Sequence, residues 1–194
     1  PSLSITAGPS ISRGLTAAQY VSSVRDAAAV ATYGARYVFG EIGQTELSMT
    51  TRANLIFTPR VSLQIYAQPL LSVGRYSGFK EAAKPRTFSF NRYGVDVGSI
   101  AFDPAAGSYT VNPSAAGSSP FSFPNPDFNF KSLRVNSVFR WEFKPGSTLF
   151  LVWTQQREDY ARPGRFDFSA DVSSLMRAPA DNVVMVKVSY WFTR

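Results

Sequence analysis

The chain has 194 residues, a length that suits one domain, and it contains neither cysteine nor histidine. Disulfide frameworks, thiolate metal sites, cysteine nucleophiles and histidine-dependent catalytic triads are therefore excluded. Charged residues make up 17% of the chain, and 20 Lys and Arg against 13 Asp and Glu give a net charge of +7. Because these basic residues are scattered rather than clustered, we expect no nucleic-acid partner.

The first half of the chain alternates between apolar and polar residues with the period of a β-strand. The alternation predicts strands near residues 2–13, 36–58 and 60–73. The last two are joined by a proline-containing turn, Thr58–Arg60, which favours a hairpin. These runs are longer than the five or six residues of a typical soluble strand.

The second half repeats this pattern of alternating strands joined by a tight turn. Strands are predicted near residues 130–143, 147–157 and 183–194, and the first two are joined at Lys144–Gly146. In this turn proline presets the first corner and glycine tolerates a positive φ at the second.

The connections between the six predicted strands are uneven in length. Two are the tight turns, and three are long loops near residues 14–34, 76–129 and 158–182. Up-and-down strand order places both tight turns at one end of the sheet and the long loops at the other. Within the loops we predict a hairpin over Ser99–Val111 and a short helix or turn at Asp171–Arg177.

Long alternating strands, tight turns at one end and long loops at the other are typical of outer-membrane barrels. The predicted fold class is therefore all-β, an antiparallel transmembrane (outer-membrane) β-barrel or the C-terminal part of one. Six strands are fewer than the eight of the smallest such barrels. We therefore expect upstream strands of the same polypeptide, or other subunits, to close it, with outer-membrane lipid and lipopolysaccharide around it in a bacterial outer membrane.

Two groups of side chains follow from the strand faces. Aromatic residues at one depth suit the membrane interface, and charged residues within strands must face inward, because an arginine at the bilayer midplane costs about 2–4 kcal/mol. The inward set is either a charged constriction for anionic or hydroxyl-rich solutes or a salt-bridged filling of a closed lumen. The predicted belt is Phe57, Trp141, Phe143, Tyr190 and Phe192, and the predicted lumen set is Arg52, Arg134, Arg140, Glu142 and Lys187.

The carboxylates do not form a recognisable catalytic or metal site. Glu158 and Asp159 are adjacent on a strand and so point to opposite faces. Asp159, Asp167 and Asp171 lack the spacing of a calcium loop, so we expect solvated loop carboxylates. We predict no enzyme, no catalytic residue, no cofactor and no metal.

Three stretches also carry a resemblance to a known family. They are Gln19-Tyr20-Val21 through ATYGARYVFGEIGQTELSMTTRANLIFTPRVSLQIYAQPLL, then LRVNSVFRWEFKPGSTLFLVWTQQRE, and the closing VKVSYWF. They resemble the C-terminal barrel of a bacterial outer-membrane family of undefined function, in which a carbohydrate-binding family 9-like domain usually precedes the barrel. The resemblance implies a membrane barrel and assigns no catalytic residue.

Two functions remain open from the sequence. The first is an outer-membrane barrel that acts as a pore, a transporter or the anchor of a surface binding domain, with a possible link to carbohydrate handling. The alternative is a soluble β-sandwich module, carbohydrate-directed and without a membrane role, that uses the loop aromatics Phe121, Phe123, Phe128 and Phe130.

Overall fold

The computed structural model describes residues 1–161 and 164–192, and in this part of the chain the fold is all-β with one short α-helix. The elements are β1 (Ser2–Arg25), β2 (Ala35–Thr58), β3 (Val61–Ala82), β4 (Phe90–Arg92), β5 (Ser99–Asp103), β6 (Ser108–Asn112), β7 (Phe121–Pro124), β8 (Phe128–Lys144), β9 (Ser147–Ala161), α1 (Phe168–Arg177) and β10 (Ala180–Ser189), with a 3-10 turn at Val30–Thr32.

The strands form two antiparallel sheets. In the larger sheet the order is β1-β2-β3-β8-β9-β10, with β4 paired to β3, and the smaller sheet is β5-β6-β7. Over the described residues the larger sheet is not closed into a barrel, and β1 and β10 form its two edges. The predicted all-β antiparallel class is confirmed, whereas the closure of the sheet into a membrane barrel stays a prediction. No helix in residues 1–161 and 164–192 is long and apolar enough to cross a bilayer.

The chain divides into two compact units. We call Pro1–Ser12, Thr45–Val73 and Phe128–Arg194 the hairpin unit, and Arg13–Gln44 and Gly74–Asp127 the aromatic unit.

The hairpin unit is organised by the continuous ladders β8–β9 and β9–β10. The tight turn between β8 and β9 contains Gly146 at a φ of +76°, which favours glycine, as the sequence predicts. A β-bulge at Phe143 precedes this turn. The small apolar core of the unit contains Leu71, Leu133 and Leu175.

The aromatic unit has a larger core and a buried ionic cluster. Its core residues are Val38, Phe79, Tyr93, Val111 and Phe123. The ionic cluster centres on Arg36, 5% exposed, which lies 2.6 Å from a carboxylate oxygen of both Asp26 and Glu81. The hydroxyl of Tyr93 donates to Glu81 at 2.9 Å, and burial together with this carboxylate raises the pKa of Tyr93. This cluster satisfies buried charges and so serves the fold.

The predicted loop at residues 14–34 is largely wrong, because β1 continues to Arg25. The alternation of polarity stops after Arg13, but ladder hydrogen bonds require only the backbone. In the aromatic unit Tyr20 packs edge-to-face on Phe39 at 5.8 Å, and this contact holds the end of β1 in place.

The predicted loop at residues 76–129 is also corrected. β3 continues to Ala82, and β4 to β7 follow. These short strands are stable because Phe79, Val111 and Phe123 bury their side chains together. The predicted Ser99–Val111 hairpin is confirmed, since Ser99 pairs with Asn112 and Asp103 with Ser108.

The last predicted loop, residues 158–182, is shorter in the structure, and the last predicted strand, residues 183–194, begins and ends earlier in the chain. β9 extends to Ala161, and β10 begins at Ala180 and ends at Ser189. The ladder stops there because the Trp191 amide donates to the Ser147 hydroxyl at 3.0 Å. Tyr190 and Phe192 therefore follow the strand, and Thr193 and Arg194 of the predicted strand lie outside the described residues. The short helix predicted near Asp171–Arg177 is confirmed as α1.

Candidate functional site

The registers of β8, β9 and β10 separate two faces of the hairpin unit. On one face Phe139 lies opposite Leu151 and Leu151 opposite Val186. The next row on this face joins Trp141, Leu149 and Val188. We call this side of the sheet the apolar face and the opposite side the polar face.

One row of the polar face contains two predicted lumen residues. Arg140 lies opposite Phe150, and Phe150 lies opposite Lys187, so Phe150 separates the two basic residues within the row. Arg140 Nη2 is 3.3 Å from Glu142 Oε2, and the other Glu142 oxygen accepts from the Gly146 amide at 3.2 Å. Glu142 thus links the charged row to the tight turn.

The other two predicted lumen residues each line a groove of the polar face. Arg52 lines a groove of about 360 Å³, and its guanidinium carbon lies 5.4 Å from the centre of the Tyr66 ring. Arg134 lines a groove of about 240 Å³ together with Glu46 and Gln68. The remaining polar lining residues are Ser48, Asn54, Gln64, Ser132 and Asn136.

The polar face therefore offers hydroxyls, carboxamides and guanidinium groups in shallow grooves. These groups hydrogen-bond hydroxyls and attract anions. Acidic and basic side chains occur together at both heights along the strands. Asp181 lies in the row of Arg134, and Glu142 accompanies Arg140 near the tight turn.

The predicted aromatic belt forms a chain of ring contacts beside the tight turn. Ring centres are 5.9 Å apart for Trp141 and Phe143, 6.3 Å for Phe143 and Tyr190, and 4.6 Å for Tyr190 and Phe192. The Lys144 ammonium donates to the Tyr190 hydroxyl at 3.2 Å. Phe57, the fifth member, is the second-last residue of β2, next to the other tight turn, and is 46% exposed.

Sequence reasoning missed a buried ionic network between β8, β9 and α1. Lys131, 1% exposed, lies 2.8 Å from an Asp159 oxygen and 3.8 Å from an Asp171 oxygen. Ser174 of α1 also donates to Asp159, and Asn129 donates to Asp171 at 2.8 Å. The hydrogen bond from Lys131, followed by that from Ser174, lowers the pKa of Asp159.

This network corrects the expectation of solvated carboxylates in the last loop. Asp171 is 5% exposed, and Asp167 caps α1 by accepting from the Ala170 amide at 3.1 Å. Two of the three carboxylates converge because the Lys131 ammonium supplies the positive charge between them. No group of three metal-ligating side chains occurs among residues 1–161 and 164–192.

The fold and the site define a class, an all-β protein whose antiparallel sheet has a mainly apolar face and a more polar face. The polar face carries an ion pair, Arg140 with Glu142, and two grooves lined by polar side chains. The chain belongs to the family described as "Domain of unknown function (DUF5916)", whose model matches residues 15–193. Comparison with curated proteins and with solved structures found no match.

Proposed function

We propose that this chain forms part of the wall of a bacterial outer-membrane β-barrel, with its apolar face on lipid and its polar face lining a solute-accessible interior. The proposed membrane-crossing segments are residues 2–12, 45–58, 61–73, 134–143, 148–156 and 181–189, which leaves Arg157, on the same face as Leu133, outside the hydrocarbon layer. Each contains 9 to 14 residues and is therefore long enough for a tilted strand to cross the hydrocarbon layer, which takes about 9–11 residues. The proposed lumen set is Arg52, Arg134, Arg140, Glu142 and Lys187.

The observation that carries this proposal is the difference between neighbouring rows of three paired strands: one face carries Phe139, Leu151 and Val186, and the other carries Arg140 and Lys187. The polar face also includes one apolar row, which contains Val138, Val152 and Met185. In a membrane barrel every strand presents alternate residues to lipid and to the interior. The apolar rows are also accessible: Leu151 is 41%, Val186 61% and Val188 61% exposed. Lipid would cover these side chains, whereas water would leave a large apolar patch exposed.

The same accessibility weighs against the alternative of a soluble sandwich. A sandwich buries one face of each sheet against the other. Leu47, Leu55 and Leu63 are only half-buried, and Leu151 is exposed.

The membrane topology can be tested in intact cells, because the chain has no native cysteine. Pro59, in a tight turn, and Ala170, in α1, are both exposed and lie in the hairpin unit at opposite ends of the strands. A membrane-impermeant thiol reagent should label Ala170→Cys in intact cells and Pro59→Cys only after the outer membrane is opened. Labelling of both positions in intact cells would contradict the topology.

A second candidate is favoured by the Arg140–Glu142 pair. Internal ion pairs also fill closed barrels that serve as anchors, and the resemblance described above suggests a carbohydrate-binding domain as the anchored part. Conductance in planar bilayers separates the two candidates. A pore should conduct, and Arg52→Glu should shift its selectivity towards cations, whereas a closed anchor should show no channel events with either form.

A further inference from the structure

The helix α1 lies on the apolar face of the sheet. Leu175, 2% exposed, forms a core cluster with Leu71 and Leu133, and Val172 packs against this cluster. Leu133 and Val135 belong to the same alternating face of β8 as the apolar rows, because Val135, Ser137 and Phe139 follow at steps of two. The helix therefore covers the end of the apolar face that is remote from the tight turn.

Polar contacts fix the orientation of α1. Asp171 and Ser174 point to the network around Asn129 and Lys131, which lies beyond Leu133 and away from the apolar rows. The Arg157 guanidinium donates to the carbonyl oxygens of Met176 at 2.6 Å and Ala178 at 2.9 Å. Asp171 and Ser174 therefore hold one flank of the helix towards Lys131, and Arg157 holds the C-terminal end of the helix at the row of Leu133.

The opposite flank is apolar and accessible. Phe168, Val172 and Met176 are spaced four residues apart and so form one stripe along the helix. Phe168 is 57% and Met176 55% exposed. Since Asp171 and Ser174 occupy the flank towards Lys131, this stripe faces the apolar rows of the sheet.

The height of α1 on the sheet matches the edge of an apolar membrane band. Leu133 and Phe143 are ten positions apart in β8, which corresponds to about 34 Å along a strand and about 24 Å when the strand is tilted by about 45°. The lipid-facing band of an outer-membrane barrel is about 25 Å tall. A band that starts at the Phe143 belt therefore ends at Leu133, where α1 is docked.

We propose that α1 is an interfacial membrane helix, whose Phe168–Val172–Met176 stripe contacts the acyl chains of the outer leaflet. Amphipathic helices with this division of residues lie in the membrane plane at the headgroup boundary. The exposed Arg177, on the side of α1 away from the stripe, suits the phosphate groups of lipid headgroups. This inference rests on the proposed membrane barrel.

Single-cysteine fluorophores test the inference with the full native polypeptide in lipid vesicles that carry a quencher on their acyl chains. Met176→Cys reports the stripe, and Ala170→Cys, exposed on the opposite side of α1, is its matched control. Leu151→Cys, in an apolar row, reports whether the sheet lies in lipid at all. We expect strong quenching at Leu151 and quenching at Met176 that is at least about twofold stronger than at Ala170.

The outcomes separate the two proposals. Strong quenching at Leu151 with equal quenching at Met176 and Ala170, whether strong or weak, overturns the interfacial helix and leaves the barrel intact. Absence of quenching at Leu151 overturns the membrane barrel itself and the helix proposal with it.

Discussion

Lys131 shows how one buried side chain can organise a long connection. Its ammonium group lies between Asp159 of β9 and Asp171 of α1. Removing one partner of a buried ionic group leaves uncompensated charge, which costs more than the net worth of the interaction. The residue therefore determines how α1 docks on β8 and β9.

We predict that Lys131→Met lowers the free energy of unfolding by about 3–5 kcal/mol, because Asp159 and Asp171 lose their cation. The measurement is the midpoint of urea unfolding in detergent. Lys144→Met, in the exposed tight turn, is the control and should change stability by less than about 1 kcal/mol. Equal midpoints for the two variants would show that Lys131 does not make this contribution to the free energy of unfolding. Adding Asp159→Asn and Asp171→Asn to Lys131→Met should recover part of the loss.

Asp159 gives the same network a predictable dependence on pH. Its pKa is lowered in the folded state by the hydrogen bonds from Lys131 and Ser174, so the unfolded chain binds the proton more readily. The stabilisation is therefore complete above the ordinary pKa of an aspartate, about 3.9, and is lost as the pH falls through the folded value. Wild type should exceed Asp159→Asn in urea midpoint by a constant amount between pH 7 and pH 5, and the difference should shrink below about pH 4. A difference that persists unchanged at pH 2 contradicts this assignment.

At the scale of the strand, the two faces of β9 would place a charged side chain in different surroundings. Leu151 lies in an apolar row between Phe139 and Val186, and Thr154 lies on the other face, between Asn136 and Val183. If the apolar face contacts lipid, a guanidinium there loses its hydration, whereas on the polar face it keeps polar neighbours.

We therefore expect Leu151→Arg to reduce stability in lipid by about 2–4 kcal/mol and Thr154→Arg by less than about 1 kcal/mol. Chemical denaturation of the protein refolded into lipid vesicles measures both. Comparable losses for the two variants would argue that the faces do not differ in their surroundings.

At the scale of the whole molecule, the open sheet leaves two long edges. β1 and β10 each pair on one side only among the described residues, and Val184 and Val186 of β10 are 64% and 61% exposed. In lipid each unpaired backbone group costs several kcal/mol, so the edges require further strands. An uncovered edge also invites pairing with other chains.

Hydrogen exchange of backbone amides tests this requirement. In the isolated chain, amides on the outer edge of β10 should exchange fast, while β9, paired on both sides, is protected. In native outer membranes β10 should become as protected as β9. Slow exchange of β10 in the isolated chain would mean that other residues of this chain already pair with the outer amides of β10.

The period-two alternation determined the all-β class and which residues share a face, because the direction of a side chain on a strand depends only on its position. Arg140, Glu142 and Lys187 could therefore be grouped before any pairing was known. The glycine of the β8–β9 turn and the Ser99–Val111 hairpin were predictable for the same local reasons. The end of β1 was not, since the contact between Tyr20 and Phe39 holds residues without clear alternation.

Only the tertiary structure decided how distant residues meet. Lys131 and Asp159 are 28 positions apart, and nothing in the alternation around either of them marks the pair. The docking of α1 depends on Leu71, Leu133 and Leu175, which belong to three different elements. The face on which a strand residue lies follows from local geometry. The burial of Lys131 and the position at which α1 packs depend instead on which strands become neighbours, and that is a property of the whole sheet.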